Sequence, residues 1–259
     1  MTQYTLENRT AVVTGAGSGI GRAIALRFAA AGARVAIVDV AEAAARDAAR
    51  EIEGAGGAAA PFPCDVSRQG EVDAAFRAVA ERFGAVDVLV NSAGVAHIGT
   101  VEQTTEADFD RLYAVNVKGV YNCIRAAVPA MKGRGGAILN IASVAAVVGI
   151  PDRFAYSTTK GAVLTMTYAV ARDHVHENIR CNAVSPGRVH TPFVDGYLAR
   201  NYPGREREMF DRLSKTQPIG RMGRPDEIAE LALFLCSDAA AFITGSNYAI
   251  DGGFISLKM

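Results

Sequence analysis

Short, almost continuously apolar runs recur along the chain and alternate with helical patterns. Such runs are typical of parallel strands, which are buried on both faces because their connections are helices. The runs lie at 10–14, 34–39, 59–63, 86–90, 137–142, 179–184 and 247–250. The alternation predicts an α/β fold with a doubly wound, seven-stranded parallel sheet (a Rossmann fold) and helices on both faces.

The composition is consistent with one domain of this kind. Half of the 259 residues are hydrophobic, enough for a large core, and no linker or repeat divides the chain. We therefore expect residues 1–259 to form a single Rossmann-fold domain. Between about 187 and 223 the pattern becomes irregular and mixes charged with aromatic residues. Segments of this type usually form a lid at the carboxyl ends of the strands, so we predict a substrate lid there.

Charge and cysteine usage exclude several classes of partner. Acidic and basic residues balance at 27 each, so neither nucleic acid nor an anionic membrane is expected as a partner. The first ten residues contain no apolar signal core, and no run is long enough to span a bilayer, which predicts a cytoplasmic protein. The cysteines are widely separated and lack a C-x-x-C spacing, so we expect no metal and no disulfide framework.

A glycine-rich turn with the spacing G-x-x-x-G-x-G joins the first strand to the first helix. Glycine permits a tight turn and lets the backbone approach a pyrophosphate, which then meets the positive end of the helix. Strand, glycine turn and helix in this order are the context of a dinucleotide site. The residues predicted to bind the cofactor here are Gly15, Ser18, Gly19, Ile20 and Gly21.

The second strand ends in Asp39, at about the distance expected for the residue that binds the adenosine ribose. A carboxylate accepts hydrogen bonds from the 2′- and 3′-hydroxyls and repels a 2′-phosphate. Arg22 and Arg34 are the basic residues that could argue otherwise, but neither follows Asp39 in the chain. A helix cap at Asp39 is compatible with this role. The sequence therefore predicts NAD rather than NADP.

Two further strand ends add candidate cofactor contacts. Asp65 and Val66 follow the third strand, where Asp65 could receive the adenine amino group. Asn91, Ala93 and Gly94 follow the fourth strand, and the turn that contains them would let the backbone pass close to the adenosine ribose.

Tyr156 and Lys160 are four residues apart and therefore share one helix face. An ammonium beside a phenol favours the phenolate and lowers the phenol pKa, which makes Tyr156 a credible general acid or base. Ser143 follows another strand and could hold a substrate oxygen by a hydrogen bond. A Tyr–Lys pair alone is usually an ordinary exposed pair, so this interpretation depends on the surrounding motifs.

Together these elements resemble the short-chain dehydrogenase/reductase family over nearly the whole chain. The matching segments are the turn from Thr14 to Gly21, Asn91-Ser-Ala-Gly94, Tyr156-x-x-x-Lys160, Pro186-Gly187 with Thr191-Pro192, and Asp251-Gly-Gly253. Ser92 replaces the second Asn of the family's N-N-A-G element, at a position that the family varies. The resemblance implies a catalytic tetrad of Asn116, Ser143, Tyr156 and Lys160. It also implies further NAD contacts from Tyr156, Lys160, Pro186, Gly187, Val189 and Thr191.

The resemblance assigns a role to each member of the tetrad. Tyr156 takes the alcohol proton while a hydride leaves the same carbon for NAD. Lys160 lowers the pKa of Tyr156 and holds the nicotinamide ribose. Ser143 orients the carbonyl oxygen, and Asn116 helps to seat a water that links Lys160 to solvent. The family also implies a homotetramer, with helices around 108–131 and 156–176 and the C-terminal segment at subunit contacts.

Basic residues near the catalytic pair predict a small anionic substrate. Arg153 lies three residues before Tyr156, where a guanidinium would suit a carboxylate. His97 follows the turn at 91–94, and Arg188 follows Pro186-Gly187. We predict that His97, Arg153 and Arg188 bind the substrate together with Ser143 and Tyr156.

Within the family, Arg153-x-x-Tyr156-Ser-Thr-Thr-Lys160 and Ile179-Arg-Cys-Asn182 resemble the branch with 2-keto-3-deoxy-L-fuconate 4-dehydrogenase and cytosolic 3-hydroxybutyrate dehydrogenase. The resemblance implies hydride transfer between NAD and a secondary alcohol of a small hydroxy carboxylate. We favour a 2-keto-3-deoxy sugar acid, because the lid offers Arg, His, Tyr and Asn donors for several hydroxyls. The alternative is 3-hydroxybutyrate. Further alternatives are a 3-oxoacyl thioester reductase, which Asp39 opposes, and a non-catalytic NAD(H)-binding regulator.

Overall fold

One parallel sheet organises the molecule. The computed structural model describes residues 4–257, so residues 1–3 and 258–259 of the predicted domain lie outside the described residues. The strands are β1 (Thr10–Thr14), β2 (Arg34–Asp39), β3 (Ala58–Pro63), β4 (Val88–Asn91), β5 (Gly136–Ile141), β6 (Ile179–Pro186) and β7 (Asn247–Ile250). Their order is β3-β2-β1-β4-β5-β6-β7, with every pair parallel. The predicted seven-stranded parallel sheet is confirmed, with strand ends shifted by at most two residues.

Helices cover both faces of the sheet, as predicted. Helices α1 (Gly19–Ala30), α2 (Glu42–Gly54) and α9 (Pro225–Cys236) pack on one face, and α3 (Gln69–Phe83), α5 (Gly119–Met131) and α6 (Phe154–His174) pack on the other. Neighbouring strand residues contribute to opposite cores: Val13 packs on the α1 side and Val12 on the α5 side. This period of two explains why the strands are apolar almost throughout.

Three shorter helices complete the described part of the chain. Helix α4 (Glu106–Tyr113) continues through a π-helical turn (Ala114–Lys118) into α5, so the long helix predicted around 108–131 is present but interrupted. Helices α7 (Pro192–Asn201) and α8 (Glu206–Ser214) lie within the segment 187–223. In residues 4–257, no helix combines the length and apolar character needed to cross a membrane.

The strand order reverses between β1 and β4, which leaves a crevice at their carboxyl ends. The Thr14 hydroxyl oxygen ties the two following loops together by accepting hydrogen bonds from the N–H groups of Ser92 and Ala93, both at 3.1 Å. Gly15 has a φ of 65°, and a Cβ there would lie 2.8 Å from the Ala93 Cα. Glycine is therefore required where the loops meet.

Candidate active site

A cleft of about 590 Å³ opens at this crevice and extends along the carboxyl ends of the strands. It brings together most of the residues that the sequence predicts for cofactor and substrate. Those that line it are Gly15, Ser18, Gly19, Ile20, Gly21, Asp39, Asp65, Val66, Ala93, Gly94, Ser143, Arg153, Tyr156, Lys160, Pro186, Gly187, Arg188, Val189 and Thr191. The predicted site residues outside its lining are Asn91, His97 and Asn116.

The first turn of α1 is shaped to bind an anion. Ser18 precedes the helix and makes no side-chain cap, so the N–H groups of the first turn remain available toward the cleft. A Cβ at Gly21 would lie 2.2 Å from the Gly15 carbonyl oxygen, so this position also requires glycine. Free N–H groups at a helix N-terminus suit a phosphate group, and the glycine turn therefore fits the pyrophosphate of a dinucleotide.

Asp39 presents a carboxylate at the end of β2. Its Oδ2 accepts a hydrogen bond from the Gly17 N–H at 2.8 Å, and its Oδ1 accepts one from the Ala41 N–H at 2.9 Å. Arg22 pairs with Glu51, and Arg34 donates to a backbone carbonyl at 2.9 Å. Neither guanidinium lines the cleft, so neither is placed to receive a phosphate beside Asp39.

Asp65 and Val66 line the cleft one strand further out. The Asp65 Oδ1 accepts hydrogen bonds from the Ser67 N–H at 2.9 Å and the Ser67 hydroxyl at 2.7 Å. The Val66 carbonyl accepts from the Asn122 amide at 2.8 Å. These bonds fix the loop and leave the Asp65 carboxylate at the cleft surface.

Tyr156 lies in the first turn of α6, opposite Ser143 at the end of β5. The two side chains are hydrogen-bonded to each other, and the Ser143 oxygen also accepts from the Ala145 N–H at 3.1 Å. Burial raises the pKa of Tyr156, whereas the Ser143 hydrogen bond and the Arg153 charge act to lower it. Desolvation of the phenol is the dominant effect on this pKa, and the expected lowering by Lys160 stays a prediction.

Lys160 is buried beneath the phenol. Its Nζ donates to the Ile141 carbonyl at 2.7 Å and lies 5.7 Å from the centroid of the Tyr156 ring. Burial lowers the pKa of Lys160 to about 8, so the ammonium is still largely charged at neutral pH. The predicted catalytic pair is thus close together, but the ammonium bonds to the backbone rather than to the phenol.

Asn116 occupies the π-helical turn and is almost fully buried. Its Oδ1 accepts from the Val95 N–H and its Nδ2 donates to the Val95 carbonyl, both at 2.8 Å. The Nδ2 also donates to the Thr159 hydroxyl at 3.1 Å, beside Lys160. Asn116 therefore docks the loop after β4 onto α6. Its implied role of seating a water stays a prediction.

Asn91 points into the core instead of the cleft. Its Nδ2 donates to the Asn140 Oδ1 at 2.8 Å, and the Asn140 Nδ2 donates to the Thr167 hydroxyl at 2.9 Å. This buried polar chain links β4 to β5 and α6 below the site. The sequence located the correct loop, but only the residues that follow Asn91 reach the cleft.

Two guanidinium groups face the substrate side of the cleft. Arg153 Nη1 donates to the Asp152 carbonyl at 2.9 Å, and Arg188 Nε donates to the Thr216 hydroxyl at 3.0 Å. Burial, followed by the charge of Arg153, lowers the pKa of Arg188, which indicates that the two cations are close together. In the described chain, neither forms a salt bridge with a carboxylate. The cleft therefore carries positive charge beside Tyr156.

The predicted trio with His97 does not form at the cleft. The His97 imidazole is turned toward α4, with its Nε2 3.6 Å from the Asp108 Oδ2, and it does not line the cleft. Tyr197 of α7 does line it, and the charges of Arg153 and Arg188 act on its hydroxyl. The sequence predicts Tyr donors in the lid that contains Tyr197, but it does not single out Tyr197, because its position depends on how α7 packs.

The sequence also missed an apolar wall on the substrate side. Its members are Ile98, Val144, Ile150, Phe193, Leu213, Met222 and Phe254. Apolar side chains carry no chemical signature, and these come from separate loops and helices that only the fold brings together. The substrate side thus combines two cations with a largely apolar surface, which suits an anion on a short carbon skeleton.

Comparisons with known proteins agree with this geometry. Residues 15–255 match the family model described as enoyl-(acyl carrier protein) reductase. The chain is 41% identical to a D-threitol dehydrogenase from Mycolicibacterium smegmatis, covering 97% of this chain and 94% of the relative. It is 38% identical to a 2-keto-3-deoxy-L-fuconate dehydrogenase from Xanthomonas campestris pv. campestris, covering 96% and 81%. The crystal structure of a short-chain type dehydrogenase/reductase from Mycobacterium marinum has a TM-score of 0.91 at 34% identity, covering 98% of both chains.

Proposed function

The chain belongs to the short-chain dehydrogenase/reductase family, and we propose that it is an NAD-dependent dehydrogenase of a small hydroxy carboxylate. Family membership makes it an oxidoreductase with a nicotinamide dinucleotide cofactor. The narrower proposal rests on the pair Arg153 and Arg188, which face the same cleft as Tyr156. Within residues 4–257, no carboxylate forms a salt bridge with either guanidinium. An anionic substrate would supply that partner.

The residues around Tyr156 can carry out the proton transfer of alcohol oxidation. A nicotinamide dinucleotide, when bound, supplies the hydride acceptor and, in its oxidised form, a positive charge. Tyr156 as phenolate takes the hydroxyl proton, and Ser143 holds the same oxygen by a hydrogen bond. The buried ammonium of Lys160 beneath the ring stabilises the phenolate once it forms.

Asp39 supports NAD over NADP. Its carboxylate is fixed by two backbone N–H groups at the cleft surface, and the guanidiniums of Arg22 and Arg34 are engaged elsewhere. A 2′-phosphate would therefore meet a negative charge with no basic partner. The same feature opposes a 3-oxoacyl thioester reductase that uses NADP(H), even though the matching family model carries an acyl carrier protein reductase description.

Two substrate candidates have separate support. The relative named as a 2-keto-3-deoxy-L-fuconate dehydrogenase supports a sugar acid, which is our first candidate from sequence. The apolar wall and the orientation of His97 away from the cleft favour a substrate with fewer hydroxyls, such as 3-hydroxybutyrate. Both candidates place a carboxylate near the two arginines and a secondary alcohol near Tyr156.

Initial rates of NADH formation test the proposal directly. The substrates to compare are 2-keto-3-deoxy-L-fuconate, D-3-hydroxybutyrate and the uncharged D-threitol, each with NAD⁺ and with NADP⁺. We expect turnover of at least one carboxylate with NAD⁺. Activity on D-threitol alone would contradict an anionic substrate, and a preference for NADP⁺ would contradict the role of Asp39.

The Tyr156→Phe variant separates an enzyme from a non-catalytic NAD(H)-binding regulator. The variant lacks the proton-transferring hydroxyl but keeps the ring that packs over Lys160. An enzyme should lose turnover and still bind NADH, whereas a regulator would show no turnover in either form. The complete set of Asn116, Ser143, Tyr156 and Lys160 supports the enzyme.

A further inference from the structure

We propose that His97 and Asp152 position Arg153 for recognition of the substrate anion without contacting the substrate. The inference rests on the proposed function, because it takes Arg153 as a group that binds the anion. It gives His97 a task different from the direct contact expected from sequence.

Gly99 holds the backbone on both sides of Arg153. The Gly99 N–H donates to the Asp152 carbonyl at 3.0 Å, and the Gly99 carbonyl accepts from the Phe154 N–H at 3.2 Å. The Asp152 carbonyl also accepts from the Arg153 Nη1 at 2.9 Å. The guanidinium is therefore held by the same carbonyl that anchors its backbone to the loop after β4. A shift of Gly99 would move that anchor.

Asp152 has a left-handed backbone conformation, with a φ of 57°. Residues other than glycine adopt this conformation at some cost, although Asp tolerates it better than most. The turn aims the Asp152 carbonyl at both Gly99 and the Arg153 guanidinium. Such local strain next to a site is consistent with a functional geometry that the surrounding structure maintains.

The His97 imidazole packs against Gly99 outside the lining of the cleft. A Cβ at Gly99 would lie 2.8 Å from the His97 Cε1, so the ring is packed against the glycine. On its other side, Nε2 lies within ion-pair range of Asp108, which is itself held by Thr105 and Arg111. The side chain is only 15% exposed. His97 is thus wedged between the start of α4 and the loop that fixes Arg153.

This arrangement predicts a selective defect. Removal of the imidazole should loosen Gly99 and with it the carbonyl that holds the Arg153 guanidinium. Ser143 and Lys160 are held by Ala145 and Ile141, away from Gly99, so we expect the reacting centre to be preserved. The variant should therefore lose affinity for a charged ligand and keep its affinity for an uncharged ligand of the same carbon skeleton.

The test compares a ketone that carries a carboxylate with its uncharged methyl ester. Acetoacetate and methyl acetoacetate are titrated by calorimetry into the enzyme saturated with NAD⁺. A ketone cannot be oxidised by NAD⁺ at its carbonyl carbon, so only binding is measured. We expect the wild-type enzyme to bind acetoacetate more tightly, and Arg153→Ala to reduce this preference by about tenfold or more, since a charged hydrogen bond is lost. His97→Ala should reduce it severalfold and leave the dissociation constant of the methyl ester unchanged.

A double variant distinguishes positioning from general destabilisation. If His97 acts through Arg153, His97→Ala should have little further effect on the preference once Arg153 is already alanine. Asp152→Gly should keep the preference, because glycine adopts the left-handed conformation freely. Asp152→Pro should lose the preference, because proline fixes φ near −65°. If His97→Ala does not fold, these two variants test the role of Asp152, and Asp108→Ala, which removes the carboxylate that holds the imidazole, should reduce the preference if His97 has the proposed role.

Each contrary outcome has a distinct meaning. A wild-type enzyme with no preference for acetoacetate contradicts the anion site and the inference with it. Loss of the preference in Arg153→Ala but not in His97→Ala or Asp152→Pro leaves the proposed function intact and contradicts the positioning role. Additive losses in the double variant would also contradict it.

Discussion

Single side chains at the strand ends set the chemistry of the cleft, and Asp39 has two tasks among them. Its carboxylate fixes the glycine turn through the Gly17 N–H and forms the cleft surface where a ribose would bind. Asp39→Asn removes the charge and keeps one acceptor oxygen. We expect the ratio of kcat/KM for NADP⁺ to that for NAD⁺ to rise by about tenfold or more, because a repulsion of several kcal/mol is relieved.

Asp65→Asn is the matched control for this change, since it removes the same charge from the same cleft one strand away. Its ratio of NADP⁺ to NAD⁺ efficiency should stay close to that of the wild-type enzyme. Equal shifts in the two variants would mean that the overall charge of the cleft, rather than Asp39, determines cofactor choice.

Lys160 should lower the stability of the fold at neutral pH. Its pKa falls from 10.5 to about 8 through burial, which corresponds to about 3 kcal/mol at 1.36 kcal/mol per unit. The native state loses this proton near pH 8, whereas the unfolded chain keeps it until about 10.5. The destabilisation of the fold by the buried ammonium is therefore at its full value below pH 8, and it decreases as the pH rises from 8 to 10.5.

Lys160→Met removes this titration along with the catalytic ammonium. Between pH 7 and 10.5, the free energy of unfolding of the wild-type protein should rise by about 2–3 kcal/mol relative to that of the variant. Chemical denaturation of both proteins across this range measures the difference. A constant difference would show that Lys160 is not desolvated as the structure indicates.

The site residues at strand ends could be predicted because an apolar run marks each strand and a polar residue marks its end. Asp39 and Ser143 each follow an apolar run, and parallel strands bring their carboxyl ends to one edge. Asn91 could not be assigned correctly from the same rule, because its contact with Asn140 depends on the side-chain direction at a strand end. His97 was misplaced for a similar reason, because its side chain turns toward α4 although its neighbours Ala96 and Ile98 line the cleft.

At the scale of elements, the π-helical turn at 114–118 changes what the surrounding helix can do. An extra residue in the turn lets the Asn116 side chain pair with both backbone groups of Val95. In a regular helix the Asn116 side chain would point in a different direction. The hydrophobic pattern predicts the helix but not this interruption. The turn therefore locks the loop after β4 to α6, beside Lys160.

Asn116→Ala should remove three hydrogen bonds, one buried and two partly buried, and leave both backbone groups of Val95 unpaired. We expect a loss of about 2–4 kcal/mol in the free energy of unfolding, together with reduced turnover. Asn122→Ala is the control, because Asn122 is buried on the adjoining α5 and makes one bond, to Val66. Urea denaturation should show the smaller loss for Asn122→Ala, and the reverse order would contradict the docking role.

At the scale of the whole molecule, the helices that the family resemblance implies at subunit contacts carry exposed aromatic side chains. Tyr113 in α4, Tyr121 in α5 and Tyr168 in α6 are each about half exposed. Large apolar side chains gathered on helix surfaces are typical of interfaces between subunits. We propose on this basis that the chain assembles into the homotetramer that the family resemblance implies.

A Tyr121→Lys and Tyr168→Lys double variant tests this assembly, because two unpaired charges in an interface should weaken association strongly. We expect the wild-type chain to elute at four times its 27.2 kDa mass by size exclusion with light scattering, and the variant to elute as a smaller species. Val101→Lys, which replaces an exposed apolar residue of the loop before α4, should leave the mass unchanged. A wild-type monomer, or a variant that remains tetrameric, would contradict the assignment of these helices to the subunit contacts.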